Sequence, residues 1–400
     1  MVQEVLVVGG SVAGTAVVDE LRESGFDGSI TMLTGDAHDP YDRPPLSKGF
    51  LTGDMAEPEI RLRSPMWADE RAVTLRRGER AIELDLAHHQ VTLAGGAALS
   101  FDRLVIATGA VARRLPHLDE LARSYVLRDL DDARALRTEL VSRPSVAIVG
   151  GGFIGLEVAA SARTLGCRVS VIEALDGVLE AAVGPAIGGA LAELHSTQGV
   201  DLRTGVTAAA TRHEPSGRQL VLSDGRSVPA DVIITGIGIS PQTAWLGSSG
   251  LRIDDGVVVD ATLSTDDSAV LAAGDVARLT RADGGSWRGE HWTNAVEQGR
   301  LAARNLLRDH SQREPLTALA TFWSDQYDAK IRSAGTVPDS TRVHVVRHEH
   351  DPLRLVALAE GPHGTLAGIL TISAASALAR CRPLIDVDDG LDRACELLAG

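Results

Sequence analysis

Two short stretches carry glycines at spacings that suit a phosphate. In IVGGGFIG (148–155), Gly150, Gly152 and Gly155 complete a G-x-G-x-x-G pattern, with Phe153 and Ile154 between the last two glycines. In VVGGSVAG (7–14), Gly9 and Gly14 hold the corresponding places, Ala13 precedes the last glycine, and Ser11 replaces the middle one. Where a strand enters a helix, such a turn aims backbone N–H groups and the helix dipole at an anion, above all a pyrophosphate. The middle position must let that anion approach closely, and a serine adds only a small hydroxyl that can turn aside or donate. An acid follows each turn at the distance expected of a ribose ligand, Asp36 after the first and Glu173 after the second. A carboxylate there accepts from a ribose diol and repels a 2′-phosphate. Ala174 and Leu175 bring no arginine for that phosphate, so the second turn reads as a site for NADH over NADPH.

The elements that must position these residues are legible around both turns. A β-rich run at 5–8 precedes the first. A helix at 13–24 follows, with Ala13, Ala16, Val17 and Leu21 on its apolar face, and then a strand at 30–33. The second unit repeats the order with a strand at 146–149, a helix at 156–165 and a strand at 169–172. Each is a βαβ unit and implies a parallel sheet with a right-handed crossover. Two dinucleotide turns in one chain suggest a flavin and a nicotinamide, since hydride passes from one such cofactor to the other.

Shorter β-rich runs fill 81–106, a hairpin signal SDG stands at 223–225, and buried strands are expected in DVIITGIG and in AVLAAGDV (269–276). An amphipathic helix is expected at about 295–307 after HWTN, and alternating strands with a final helix mark a last α+β domain. The expected fold class is therefore α/β, with two Rossmann-like dinucleotide-binding domains and a C-terminal α+β domain.

Composition narrows the function. A chain of 400 residues, 44% hydrophobic and 23% charged, fits two or three domains with real cores. Its 39 basic and 54 acidic residues give a net charge of −15, which argues against a nucleic-acid or anionic-membrane partner. Cys167, Cys381 and Cys395 lie far apart and form no C-x-x-C pair, so neither a disulfide framework nor a thiol redox centre is expected. The N-terminus runs into a strand without a charged, cleavable leader, and no apolar run is long enough to span a bilayer. A cytoplasmic location is expected.

With these residues in place, the chain resembles the FAD-dependent, NADH-using ferredoxin reductases that serve bacterial cytochrome P450 and Rieske oxygenase systems. The likeness runs through PYDRPPLSK (40–48), LVIATGA (104–110), LRDLDDARALR (127–137), IVGGGFIGLEVAA (148–160), AAGDVAR (272–278), EHWTNAVEQG (290–299) and FWSDQYD (322–328). It implies a glutathione-reductase-like arrangement: an FAD domain from 1–112 and 236–316, an NADH domain at 113–235, and a partner-docking domain at 317–400. By the same resemblance Gly9, Ser11, Ala13 and Gly14 hold FAD, and Asp36 takes the adenosine ribose. Arg43 and Lys48 lie along the pyrophosphate and isoalloxazine, and Asp275 contacts the ribitol. Lys48 and Glu157 resemble the ion pair beside flavin N5. Trp292 lies near the flavin ring, and Trp323 at its partner-facing edge. The helix starting near Asn294 aims its N-terminus at the pyrimidine. Ala107, Thr108, Gly109, Val296, Gly236 and Gly238 join these as cofactor-binding positions, alongside Gly150, Gly152, Phe153, Ile154 and Glu173 for NADH.

The expected partner is a 2Fe–2S ferredoxin, with Arg278, Arg281 and Arg288 as docking candidates and an oxygenase downstream. Departures from the family pattern are Thr321, where an aromatic often stands, Gln242 in place of an Asn, and the absence of an Asn-Arg-Pro-like run in 370–385. Two other readings share the fold. A disulfide reductase needs a redox cysteine, which YDRPPLSKGF lacks. An NADH-sensing flavoprotein similar to apoptosis-inducing factor would act through binding and oligomerisation. His344, His348 and His350 share strand spacing without an accompanying carboxylate or cysteine set, so no metal site is expected.

Overall fold

The structure is a computed structural model describing residues 2–119, 121–215, 217–281, 284–336, 343–348 and 351–399. It divides into two compact units, Met1–Asp42 with Pro58–Val111 and Ile239–Ala318, and Arg43–Glu57 with Ala112–Gly238 and Leu319–Gly400.

The first unit is built on a parallel sheet in the order Val270–Ala272, Arg103–Ile106, Glu4–Val8, Ser29–Thr34, Val73–Arg77. Val5, Leu6 and Val7 are buried on both faces, as a parallel strand covered by helices requires. The helix Val12–Glu23 packs against Trp292–Leu306. Their approach is set by Gly299, where a Cβ would press within 2.9 Å of the Ala16 Cβ.

The second unit repeats the plan in the order Asp201–Arg203, Arg168–Ile172, Ser145–Val149, Val232–Thr235, Ser124–Val126, again parallel. The SDG hairpin joins Gly217–Leu222 to Ser227–Pro229. The same unit carries an antiparallel sheet in the order Thr321–Gln326, Ala329–Gly335, Leu366–Ile372, Asp351–Glu360, Val343–His348. Ala375–Cys381 and Gly390–Ala399 cover one face of it, burying Leu358, Ile369, Ala377, Cys381 and Ala394.

Two helix starts differ from the sequence expectation. The helix expected from Leu156 begins at Phe153, and the one expected from Ala295 begins at Trp292. Gly155 lies inside the first turn of the former, where a Cβ would strike the Gly150 carbonyl. Among the described residues no helix is long and apolar enough to cross a membrane.

Candidate functional site

Each glycine turn sits at the end of a central strand, where the sheet order reverses direction, the usual ligand crevice of an open parallel sheet. In the first unit Gly9 adopts φ 128° and donates its N–H to the Leu33 carbonyl at 2.8 Å. A Cβ on Gly9 would collide with the Ala107 carbonyl, and one on Gly14 with the Gly9 carbonyl. The second turn repeats this atom for atom. Gly150 has φ 112° and donates to Ile172 at 2.8 Å; Cβ atoms on Gly150 and Gly155 would strike the Gly236 and Gly150 carbonyls. Both outer glycines are obligatory on steric grounds.

The middle position is different. Gly152 is the N-cap of its helix with φ −77° and ψ −178°, and a Cβ there would meet nothing within 4 Å. Ser11 is the matching N-cap, with φ −102° and ψ −154°, and its hydroxyl makes no capping hydrogen bond. Extended backbone and open space allow a serine where the pattern asks for glycine. The open space lies above first-turn N–H groups that have no partner within the helix, the cradle a pyrophosphate fills.

The acids are placed differently in the two units. Because Gly9 bonds Leu33 and Gly150 bonds Ile172, the counterpart of Glu173 is Thr34, and Asp36 lies two residues farther on. The Glu173 carboxylate accepts the N–H groups of Gly151 at 2.6 Å and Leu175 at 2.9 Å, one on each oxygen. Each oxygen keeps a second lone pair for a diol. Asp36 accepts the His38 N–H at 3.1 Å and the Tyr41 hydroxyl at 2.8 Å, one on each oxygen.

Other cofactor candidates of the first unit gather on the same sheet end. Ala107 is buried, and its carbonyl packs on Gly9. Thr108 donates its hydroxyl to the Gln242 carbonyl at 3.0 Å, and Gly109 accepts the Gln242 N–H at 2.9 Å. These contacts use the Gln242 backbone, so glutamine in place of asparagine leaves them intact. Asp275 follows Gly274, whose N–H donates to the buried Gln298 at 2.8 Å. Gln298 in turn donates to Asn294 at 3.1 Å, clamping the Gly-Asp turn to the first turns of the helix Trp292–Leu306. Trp292 donates its indole N–H to Asp42 at 2.7 Å, and Val296 packs partly buried against the core. Burial holds His291, the N-cap, below the ordinary histidine range, and Asp275 opposes that shift.

In the second unit Lys48 pairs with the buried Glu157 at 2.6 Å. Ser47 and Ser324 add hydroxyl donors to the same carboxylate at 2.5 and 2.6 Å. Arg43 donates to the Arg128 carbonyl at 2.6 Å. Phe153 meets Phe322 edge-on with centroids 5.1 Å apart, Ile154 is exposed, and Gly236 donates to Val149 at 2.8 Å. Gly238 accepts the Arg113 N–H at 2.9 Å. Trp323 is half-buried and lines a pocket with Thr321, Arg332, Leu378 and Arg382. Ser47, Ser324, Gln326 and His195 were missed by sequence reasoning. The alternation of FWSDQ, which turns Ser324 and Gln326 to one buried face, was the signal available.

The arginines fare unequally as a docking set. Arg278 bonds Asp254 and Asp255 at 3.3 Å each. Arg288, only 8% exposed, bonds Asp255 at 3.2 Å and Glu290 at 2.7 Å. Arg281 stands exposed on the hairpin. His344 is exposed beside Glu360 at 3.3 Å, while His350 lies outside the described residues. Among the described residues no three metal-ligating side chains cluster. Cys167 and Cys381 are buried, and burial pushes both thiols up, away from reactivity.

The comparisons with known proteins agree with this geometry. Residues 3–299 match the model of the pyridine nucleotide-disulphide oxidoreductases, and residues 321–395 that of a reductase C-terminal domain. The chain is 39% identical to the ferredoxin–NAD(+) reductase component of a p-cumate 2,3-dioxygenase system from Pseudomonas putida, over 86% of this chain and 83% of that one. It is 35% identical to the corresponding component of a biphenyl dioxygenase system from Paraburkholderia xenovorans, over 90% and 88%. A solved covalent complex of putidaredoxin reductase with putidaredoxin superposes with a TM-score of 0.89 at 30% identity, over 95% of this chain and 92% of that one. The chain belongs to the pyridine nucleotide-disulphide oxidoreductase family and, within it, to the ferredoxin–NAD(+) reductases of oxygenase systems.

Proposed function

We propose that this protein is a cytoplasmic, FAD-containing reductase that takes hydride from NADH and delivers single electrons to a 2Fe–2S ferredoxin serving a cytochrome P450 or Rieske-type oxygenase. The observation that carries the reading is the pair of glycine turns with one backbone geometry and different acids. Bound FAD supplies the conversion between a two-electron donor and a one-electron acceptor.

The chain's own residues bind and orient. The N–H groups after Gly9 would cradle the FAD pyrophosphate, and Asp36 would accept from the adenosine ribose. The turn at Gly150–Gly155 and the doubly anchored Glu173 do the same for NADH. The helix Trp292–Leu306, clamped through Gln298, would offer its N-terminal N–H groups and dipole to the flavin. The family resemblance assigns Lys48, held by Glu157, to the neighbourhood of flavin N5 as a fixed positive charge. No side chain has to move a proton for the hydride step; alignment and charge stabilisation carry it.

Stopped-flow reduction with NADH and NADPH, followed by reduction of a panel of 2Fe–2S ferredoxins, tests the reading. A yellow protein reduced much faster by NADH, and reoxidised rapidly by at least one ferredoxin, is the expected result. A colourless protein, or equal rates with the two nucleotides, overturns the cofactor reading. Slow reoxidation by every ferredoxin, together with an NADH-dependent change in oligomeric state, would favour the sensing role instead.

A further inference from the structure

Glu157 is the end point of a buried hydrogen-bond chain. Its Oε2 receives Lys48 at 2.6 Å and Ser47 at 2.5 Å, while Oε1 receives the Ser324 hydroxyl at 2.6 Å. The Gln326 amide nitrogen donates to Ser324 Oγ at 3.1 Å, and its oxygen faces His195 Nε2 at 2.8 Å. The Tyr327 hydroxyl lies 3.2 Å from His195 Nδ1. Glu157, Ser324, Gln326 and His195 are all buried, and all belong to the second unit. They arrive from the helices Phe153–Thr164 and Glu180–Thr197 and from the strand Thr321–Gln326.

One charge fixes every proton along this path. An ionised carboxylate only accepts, so Ser324 donates to it and its oxygen takes the Gln326 amide N–H. The Gln326 oxygen is thereby turned to His195 and needs a donor, which makes His195 the Nε2–H tautomer. Nδ1 is then a bare acceptor for Tyr327. Burial favours this state at both far members, holding His195 below the ordinary histidine range and pushing the Tyr327 phenol up to about 12. Asp325, between Ser324 and Gln326, points to the other face and pairs with Arg332 at 2.6 Å, so it does not compete.

We propose that Ser324, Gln326 and His195 are positioning residues, a one-directional donor chain that holds the Glu157 carboxylate aimed at Lys48. The C-terminal domain thus completes the donor set of a carboxylate on the nucleotide-turn helix. The inference rests on the proposed assignment of the Lys48–Glu157 pair to the flavin.

The test has two arms. In the wild-type holoenzyme with ¹⁵N-labelled histidine, the His195 resonances, assigned by their loss in His195→Gln, are expected to report a neutral imidazole protonated at Nε2. An Nδ1–H tautomer or an imidazolium at neutral pH overturns the chain without any appeal to turnover. In the kinetic arm, Ser324→Ala is expected to lower the limiting rate of flavin reduction by about tenfold, the cost of one hydrogen bond to a charged group, with the NADH dissociation constant unchanged. Ser324→Thr should restore the rate, and Ser324→Ala should add nothing in a Glu157→Gln background. A wild-type rate in Ser324→Ala, no rescue by threonine, or an undiminished effect in Glu157→Gln overturns the proposal. A wild-type rate in Glu157→Gln alone instead removes the flavin-side reading of the pair, and the tautomer measurement then decides the chain by itself.

Discussion

Ser11 and Gly152 occupy the same place in two copies of one turn, each an extended N-cap, and a Cβ on Gly152 would meet nothing within 4 Å. Their neighbours show where glycine is indispensable, because Gly9 and Gly14, like Gly150 and Gly155, leave no room for a Cβ beside a carbonyl oxygen. Ser11→Gly is therefore expected to retain FAD, whereas Gly14→Ala should lose it and destabilise the fold by at least about 2 kcal/mol, as overpacking against backbone does. Flavin absorbance of the purified variants and their thermal unfolding check both. Loss of flavin in Ser11→Gly would mean that the hydroxyl is itself a ligand.

Glu173 combines two tasks, accepting the Gly151 and Leu175 N–H groups and presenting its remaining lone pairs outward. Glu173→Ala should weaken NADH binding and cut the preference for NADH over NADPH by roughly one to two orders of magnitude, since both a charge-assisted contact and the repulsion of a 2′-phosphate disappear. The ratio of kcat/KM values for the two nucleotides measures it. An unchanged ratio would place nucleotide selection elsewhere.

Burial holds both His195 and His291 below the ordinary histidine pKa of about 6.5. The unfolded chain then binds more protons than the native one as pH falls below that value, so stability is full above it and declines between it and the lower folded pKa. The decline is at most about 1.4 kcal/mol per pH unit for each histidine. Urea midpoints measured from pH 7.5 down to 5.5 should fall, and His195→Gln should flatten the curve. A midpoint rising on acidification would contradict the assignment.

The three arginines proposed for docking separate by their partners. Arg281→Glu should raise the KM for ferredoxin several-fold, more at low salt, while leaving NADH-driven reduction of a small artificial acceptor unchanged. Arg288→Glu should instead lower stability, because Asp255 and Glu290 would face a third acid at a site only 8% exposed. Equal ferredoxin kinetics in Arg281→Glu and wild type would remove that surface from the docking face.

The amino-acid sequence by itself determined both glycine turns, the βαβ order around them and the identity of Glu173, because these depend on backbone sterics and short-range spacing. It also carried the family resemblance, which rests on motifs spread along the chain. It placed two helix starts three residues late, Leu156 for Phe153 and Ala295 for Trp292. Nor could it show that Asp36 lies two residues beyond the position equivalent to Glu173, a register set by which carbonyl each turn glycine bonds. Only the tertiary structure decided what surrounds Glu157. Ser47, Ser324, Gln326 and His195 are ordinary polar residues from separate segments, and they acquire a common direction only when burial closes them into one hydrogen-bonded network that ends on the Glu157 carboxylate.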